Sequence, residues 1–154
     1  VISAAWSPLS DREEEAAALA NAGQFEAAGT AAPGFAEKLD TAPALLLVLA
    51  DLGALAAVDR DLPRYTLVGG ASIYPFVWSL LLAARTEGLA GVMTTMPVRR
   101  EAELRTLFDI PEGVVAAALV VLGLPVATAR RLKRAPVDSF AWVDRYEGDP
   151  LTGG

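Results

Sequence analysis

Residues 69–96, GGASIYPFVWSLLLAARTEGLAGVMTTM, decide how this chain folds. Two glycines precede a helix that is apolar on nearly every face, predicted over about Ser72 to Glu87. Pro75 falls in its first turn, where a missing N–H costs little. Gly88 is the predicted stop, and a short strand over 89–95 follows at once. A surface helix carries a polar stripe, whereas this one offers little beyond Ser72, Ser79 and the end residues Arg85 and Glu87. Such a helix is expected to be buried on all sides, at the centre of the molecule.

Two further apolar runs supply strands around it. Ala42 to Ala50 is nine residues long and continuous, as expected of a strand buried on both faces. Ala116 to Gly123 is a third strand. Between the second and third strands, Arg99 to Phe108 reads as a short amphipathic helix. Leu104, Leu107 and Phe108 share a face, and Glu101 and Arg105 are spaced to pair at i,i+4. Asp109-Ile110-Pro111 ends it, because the residue before a proline avoids the helical region. Upstream, Ser10 and Glu13 form a capping box that opens a helix through about Asn21, with Gly23 as its stop. Phe35 to Leu39 reads as a short helix, and residues 51–68, with Asp59, Arg60, Asp61 and Pro63, read as a mobile connection. The order is helix, strand, helix, strand, helix, strand and tail. We therefore expect one α+β domain: a helical segment over 1–41, a core over 42–125 and an arm over 126–154.

Composition narrows the chemistry. The 154 residues include 13 basic and 19 acidic side chains, a net charge of −6. That balance argues against a general nucleic-acid binder, which needs a basic face to neutralise phosphates. The chain has no cysteine and no histidine. Thiolate catalysis, cysteine or histidine metal sites and a Ser-His-Asp triad within one chain are thereby excluded, and no metal site is expected. Residues 65–84 and 113–129 are uncharged, which raises a membrane reading. Each is interrupted by glycine and proline and has a short apolar core, so membrane insertion is not expected. The start, VISAAWSPLSDREEE, lacks a basic n-region and a continuous apolar stretch, which points to the cytoplasm. Arg130, Arg131, Lys133 and Arg134 form a basic cluster with no acid between them. Such a cluster is either a solvated patch or an anion site.

Three segments together resemble the carboxyl-terminal half of the FMN-dependent nitroreductase family. They are SIYPFVWSLLLAARTEGLAGVMTTM, EAELRTLFDIPEGVVAAALVVLGLP and RRLKRAPVDSFAWVDRY. The match covers roughly residues 42–146 and rests on their order and spacing, since no single motif suffices. The resemblance implies a nitroreductase-like mixed sheet flanked by helices, a long buried central helix and an interlocked homodimer. The carboxyl-terminal arm would cross to the partner and add a strand to its sheet. It also implies FMN at the dimer interface, hydride transfer from NAD(P)H, and reduction of a nitroarene, quinone or similar acceptor. By motif, the backbone of Thr94, Thr95 and Met96 would lie by the isoalloxazine ring. Lys133 and Arg134, with Arg131, would reach the FMN phosphate, and no residue is assigned as catalytic. Trp78 and Ser79 stand where similar proteins often carry Gln-Asn.

The family's amino-terminal Arg-Ser-x-Arg and Pro-Ser-x-x-Asn motifs are not in this sequence. The expectation is that the chain starts near the linker that follows them, as a fragment, a misplaced start or a truncated relative. The rival reading is a flavin-deficient dimerisation subunit, pairing with itself or with a full-length relative.

Overall fold

The computed structural model describes residues 36–126 and 135–152. The predicted helix from Ser10 lies outside them, as do Arg130, Arg131, Lys133 and Arg134. Residues 39–126 form one compact unit. After a 3₁₀ turn at Ala36–Thr41 come β1 (Ala44–Asp51), a 3₁₀ turn at Val68–Ala71 and α1 (Ile73–Thr86). They are followed by β2 (Ala90–Thr94), a 3₁₀ turn at Met96–Arg100, α2 (Glu101–Phe108) and β3 (Val114–Gly123).

The sheet order is β1-β3-β2, and β3 runs antiparallel to both neighbours. β1 and β2 therefore point the same way, linked by α1, with β3 inserted between them. The insertion corrects the expected mixed sheet. Among the described residues every hydrogen-bonded strand pair is antiparallel, because the last strand in sequence separates the two that are parallel in direction. Register is regular except for a bulge. Val48 lies opposite Ala118 and Leu49 opposite Ala116, so Ala117 has no partner in β1.

Local chemistry explains the ends of α1. Gly88 takes a positive φ of 79°, its N–H bonds the Arg85 carbonyl, and the Leu89 N–H bonds the Ala84 carbonyl. This paired closure needs a residue in the left-handed region, which glycine enters without cost. It delivers the chain directly into β2. Gly91, in that strand, has the side chain of Leu81 from α1 close against its backbone. A Cβ there would fall 2.6 Å from Leu81 Cδ2 and 2.5 Å from Leu122 Cδ2.

The core is narrower than the apolar pattern of the sequence suggests. Val77, Val48, Ala118 and Val120 are buried together, with Ile73, Leu80, Leu81 and Leu122 packed around them. In α1 only Val77 is buried, while Tyr74, Phe76, Trp78 and Leu82 are exposed, Trp78 at 65%. The expectation of a helix buried on all sides is therefore corrected for the single chain. A three-stranded sheet offers one face, and one face of the helix can cover it. β1 is likewise not covered on both sides, since Leu45, Leu46 and Leu49 remain exposed. By length and composition Val68–Thr86 meets the requirement for a membrane span. Its α-helical part has 14 residues, a rise of about 21 Å, against a hydrocarbon thickness of about 30 Å.

The α2 to β3 turn is tied by one side chain. The Arg105 guanidinium pairs with Glu101 at 3.0 Å, as its spacing predicts, and donates to the Pro111 carbonyl at 2.8 Å and the Val114 carbonyl at 2.5 Å. Asp109, with φ 50°, ends α2 one residue before Ile110-Pro111.

The described part of the arm, 135–152, folds on itself. Leu151 N–H bonds the Ala141 carbonyl and Val143 N–H bonds the Asp149 carbonyl, each at 2.9 Å. Trp142 bridges to Pro150, and its ring lies 5.0 Å from that of Tyr146. The tail thus has a local turn structure that its sequence pattern did not announce.

Replacing Gly91 with valine should destabilise the fold by about 1–3 kcal/mol, since the extra carbons must displace Leu81 and Leu122. Denaturant melts of Gly91→Val checked against wild type measure this. An unchanged midpoint would mean that α1 does not seat on β2 as described.

Candidate functional site

The carboxyl end of β2 carries the residues singled out by sequence. Thr94 is the last residue of β2 and pairs with Leu119. Its hydroxyl accepts the Met96 N–H at 3.3 Å, which turns the chain out of the sheet. Thr95 then opens the 3₁₀ turn, and its carbonyl accepts the Val98 N–H at 3.1 Å. Thr95 and Met96 are exposed. The three residues are therefore one uncovered turn, held by its own hydroxyl and backbone. Arg131, Lys133 and Arg134 lie outside the described residues.

Beside this turn is a cavity of about 720 Å³, within the range of about 300–1,000 Å³ usual for small-molecule sites. Its floor is the end of the sheet beyond the β-bulge: Ala50, Val115, Ala116 and Ala117. Small side chains there, and Gly69 and Gly70 at the approach to α1, leave the space open. Thr95 and Arg99 line it from the turn after β2, and Arg60 lines it from the β1–α1 connection. The sequence reading did not find this cavity. The only local signal was the Gly69-Gly70 pair, since Ala117, the bulged residue, stands in a run of three alanines that carries no turn residue.

The connection that carries Arg60 is clamped by Asp59. This carboxylate is only 2% exposed. It accepts the Leu67 N–H at 2.8 Å, the Val68 N–H at 3.3 Å and a guanidinium N–H of Arg64 at 2.8 Å. The reading of 51–68 as a mobile connection is corrected accordingly, because one buried acid joins its middle to its end and to the turn that begins α1. The Leu67 N–H is the main cause that holds the Asp59 carboxyl below its ordinary value of 3.8. Desolvation opposes it, while Arg64 and the Val68 N–H add to it.

Asp59→Asn should lower the melting temperature at neutral pH. The folded pKa lies below the unfolded one, so the stabilisation is complete above the unfolded value and is lost as pH falls below about 3.8. The gap between variant and wild type should therefore narrow in acid. A gap that widened there would contradict the clamp.

Residues 4–124 match the model of the nitroreductase family. Solved structures share the fold. The Vibrio harveyi NADPH:FMN oxidoreductase complexed with NAD⁺ is 20% identical with a TM-score of 0.54, covering 97% of this chain and 62% of that one. Nitroreductase A of Vibrio parahaemolyticus is 19% identical with a TM-score of 0.53, covering 97% and 61%. The Bacillus subtilis hypothetical oxidoreductase YcnD is 21% identical with a TM-score of 0.54, covering 93% and 57%. The chain thus spans about three fifths of the length of these structures. A stretch of 71 residues is also 34% identical to a Haemophilus influenzae protein provisionally described as an oligopeptide transporter. It covers 46% of this chain and 11% of that protein, and shows no family. The family match extends over more than three quarters of the chain, and the chain belongs to the nitroreductase family.

Proposed function

We propose that this member of the nitroreductase family is an FMN-dependent oxidoreductase. It would act as a dimer in the cytoplasm, passing hydride from NAD(P)H through the flavin to a nitroaromatic, quinone or similar acceptor. The observation that carries the reading is the uncovered turn Thr94–Met96 at the end of β2, beside a cavity of ligand size. The residues fit the cofactor. The exposed backbone of Thr95 and Met96 suits the edge of a planar ring, and the Met96 thioether suits an aromatic face. Arg131, Lys133 and Arg134 have the chemistry of a phosphate site, since guanidinium and ammonium groups bind a dianion through charge-assisted hydrogen bonds. Bound FMN would supply the redox chemistry, so the lack of histidine and cysteine is no obstacle. The protein's part is to position the ring, hold the phosphate and exclude water.

A second copy is the natural cover for α1. Tyr74, Trp78 and Leu82 stand at i, i+4 and i+8, one exposed apolar row along the helix, and Phe76 is exposed on another face. Pairing two such faces buries surface that one sheet leaves bare, and the arm after Val126 would cross to complete the exchange. A Vibrio harveyi relative is complexed with NAD⁺, which supports a pyridine nucleotide as the hydride donor here.

Titration of the purified chain with FMN, read by flavin fluorescence together with sedimentation mass, tests the reading. Tight stoichiometric binding to a dimer is expected. A well-folded dimer that binds no flavin would overturn it in favour of a dimerisation subunit. Changing Lys133 and Arg134 together to alanine should cost about 3 kcal/mol, roughly a hundredfold in FMN affinity. Unchanged binding would remove the phosphate assignment.

A further inference from the structure

The chain has two methionines and no cysteine, so Met93 and Met96 carry its only sulfur atoms. Both sit at one place in the fold, the end of β2 and the turn that follows it. Their surroundings differ. Met93 lies opposite Val120 in the register, and paired residues share a face, so it belongs to the side of the sheet that α1 covers. Met96 lies past the last strand residue, at the start of the 3₁₀ turn, and is 44% exposed. Its N–H is held by the Thr94 hydroxyl at 3.3 Å. Its side chain has no place in the core of Val48, Val77, Ala118 and Val120. A chemical change at that sulfur therefore leaves the fold standing and alters what the turn presents.

We propose that Met96 is an oxidation site and that its sulfoxide weakens flavin binding at the turn. This rests on the flavin reading above, which sets a planar ring against Thr94–Met96. The oxidant is hydrogen peroxide, the two-electron reduction product of dioxygen, which forms wherever a reduced flavin is open to air. The sulfur lone pair attacks one peroxide oxygen and the O–O bond breaks. The departing oxygen takes the proton of the transferred one and leaves as water. Sulfur is oxidised by two electrons and peroxide is reduced by two. A thioether is soft and polarisable and lies well against an aromatic face, whereas the sulfoxide is polar and chiral. Thiolates, which would compete for the oxidant, are absent from this chain. The sulfoxide can be reduced back enzymatically, so the change is a reversible switch. When electrons run to dioxygen in place of an acceptor, the product closes the site that made it.

The full chain, with and without bound FMN, is treated with hydrogen peroxide in the dark, where the flavin cannot photo-oxidise the sulfur. Tryptic cleavage gives the peptide Thr86–Arg99, which holds both methionines, and its fragmentation in a mass spectrometer places the added oxygen. Bound FMN should slow oxidation of Met96 more than that of Met93. Once Met96 is oxidised and the peroxide removed, FMN affinity read by flavin fluorescence should fall about fivefold, the loss of one sulfur–aromatic contact. The melting temperature should hold, and the affinity should return after treatment with the two methionine sulfoxide reductases, one for each epimer. Met93→Leu should respond to peroxide as wild type does. Met96→Leu, whatever its starting affinity, should not respond. Unchanged affinity after full conversion of Met96 overturns the proposal. So does a loss that persists in Met96→Leu, a loss that follows a lowered melting temperature, or a failure of FMN to protect Met96. A fresh chain that binds no FMN removes the flavin reading and this inference with it. A chain that binds FMN equally well with Met96 oxidised sinks this inference alone.

Discussion

Everything in the described core depends on a single seating: one apolar helix laid on one face of a narrow sheet. Val77 is the fully buried centre of that contact, and it meets Val48, Ala118 and Val120 from β1 and β3. Gly91 carries no Cβ where Leu81 of α1 and Leu122 of β3 approach the strand. The contact is positioned because Gly88 reverses the chain out of α1 straight into β2. Interior packing is close to that of an organic crystal, so a seating defined to within a methyl group also fixes the turn that follows. The Thr94–Met96 turn is placed by helix packing first and by its own hydroxyl second.

The same seating leaves the rest of α1 uncovered. Three strands are too few to wrap a helix that is apolar on every side, and the exposed row of Tyr74, Trp78 and Leu82 is the remainder. The sequence pattern shows how much apolar surface the helix carries, but it does not show how much of that surface one sheet covers. For this reason the helix, its stop and the strand after it were legible in residues 69–96, whereas its burial was not. The strands and α2 were legible for a related reason. Their signals are local: a continuous apolar run, a Glu101–Arg105 spacing, a proline after an aspartate.

Long-range ties were not legible. The carboxylate of Asp59 reaches Leu67 and Val68, eight and nine residues on, and nothing in DRDLPRYTLV distinguishes it from the solvated Asp61 beside it. The bulge at Ala117, opposite Val48 and Leu49, gives no composition signal, yet it shapes the floor of the cavity. Of the candidate site, the Thr94–Met96 turn was singled out by resemblance, and the structure describes it as an exposed turn at the end of β2. The cavity was missed because its walls come from four separate stretches of sequence, each unremarkable alone.

These two features, the clamp and the bulge, both act on segments that line the same space. The bulge spares one residue of β3 from pairing and opens the floor. Asp59 draws the 51–68 connection against the start of α1, and with it the neighbouring Arg60 to the wall. A connection of that length would otherwise sample many arrangements, at a cost in backbone entropy of about 1–2 kcal/mol for each residue ordered. A buried carboxylate with three donors is a compact way to hold it, because an unpaired charge there would be far more costly than the paired one. The acid is therefore structural, and its consequence for chemistry is indirect. It fixes the course of the connection whose residues line the cavity.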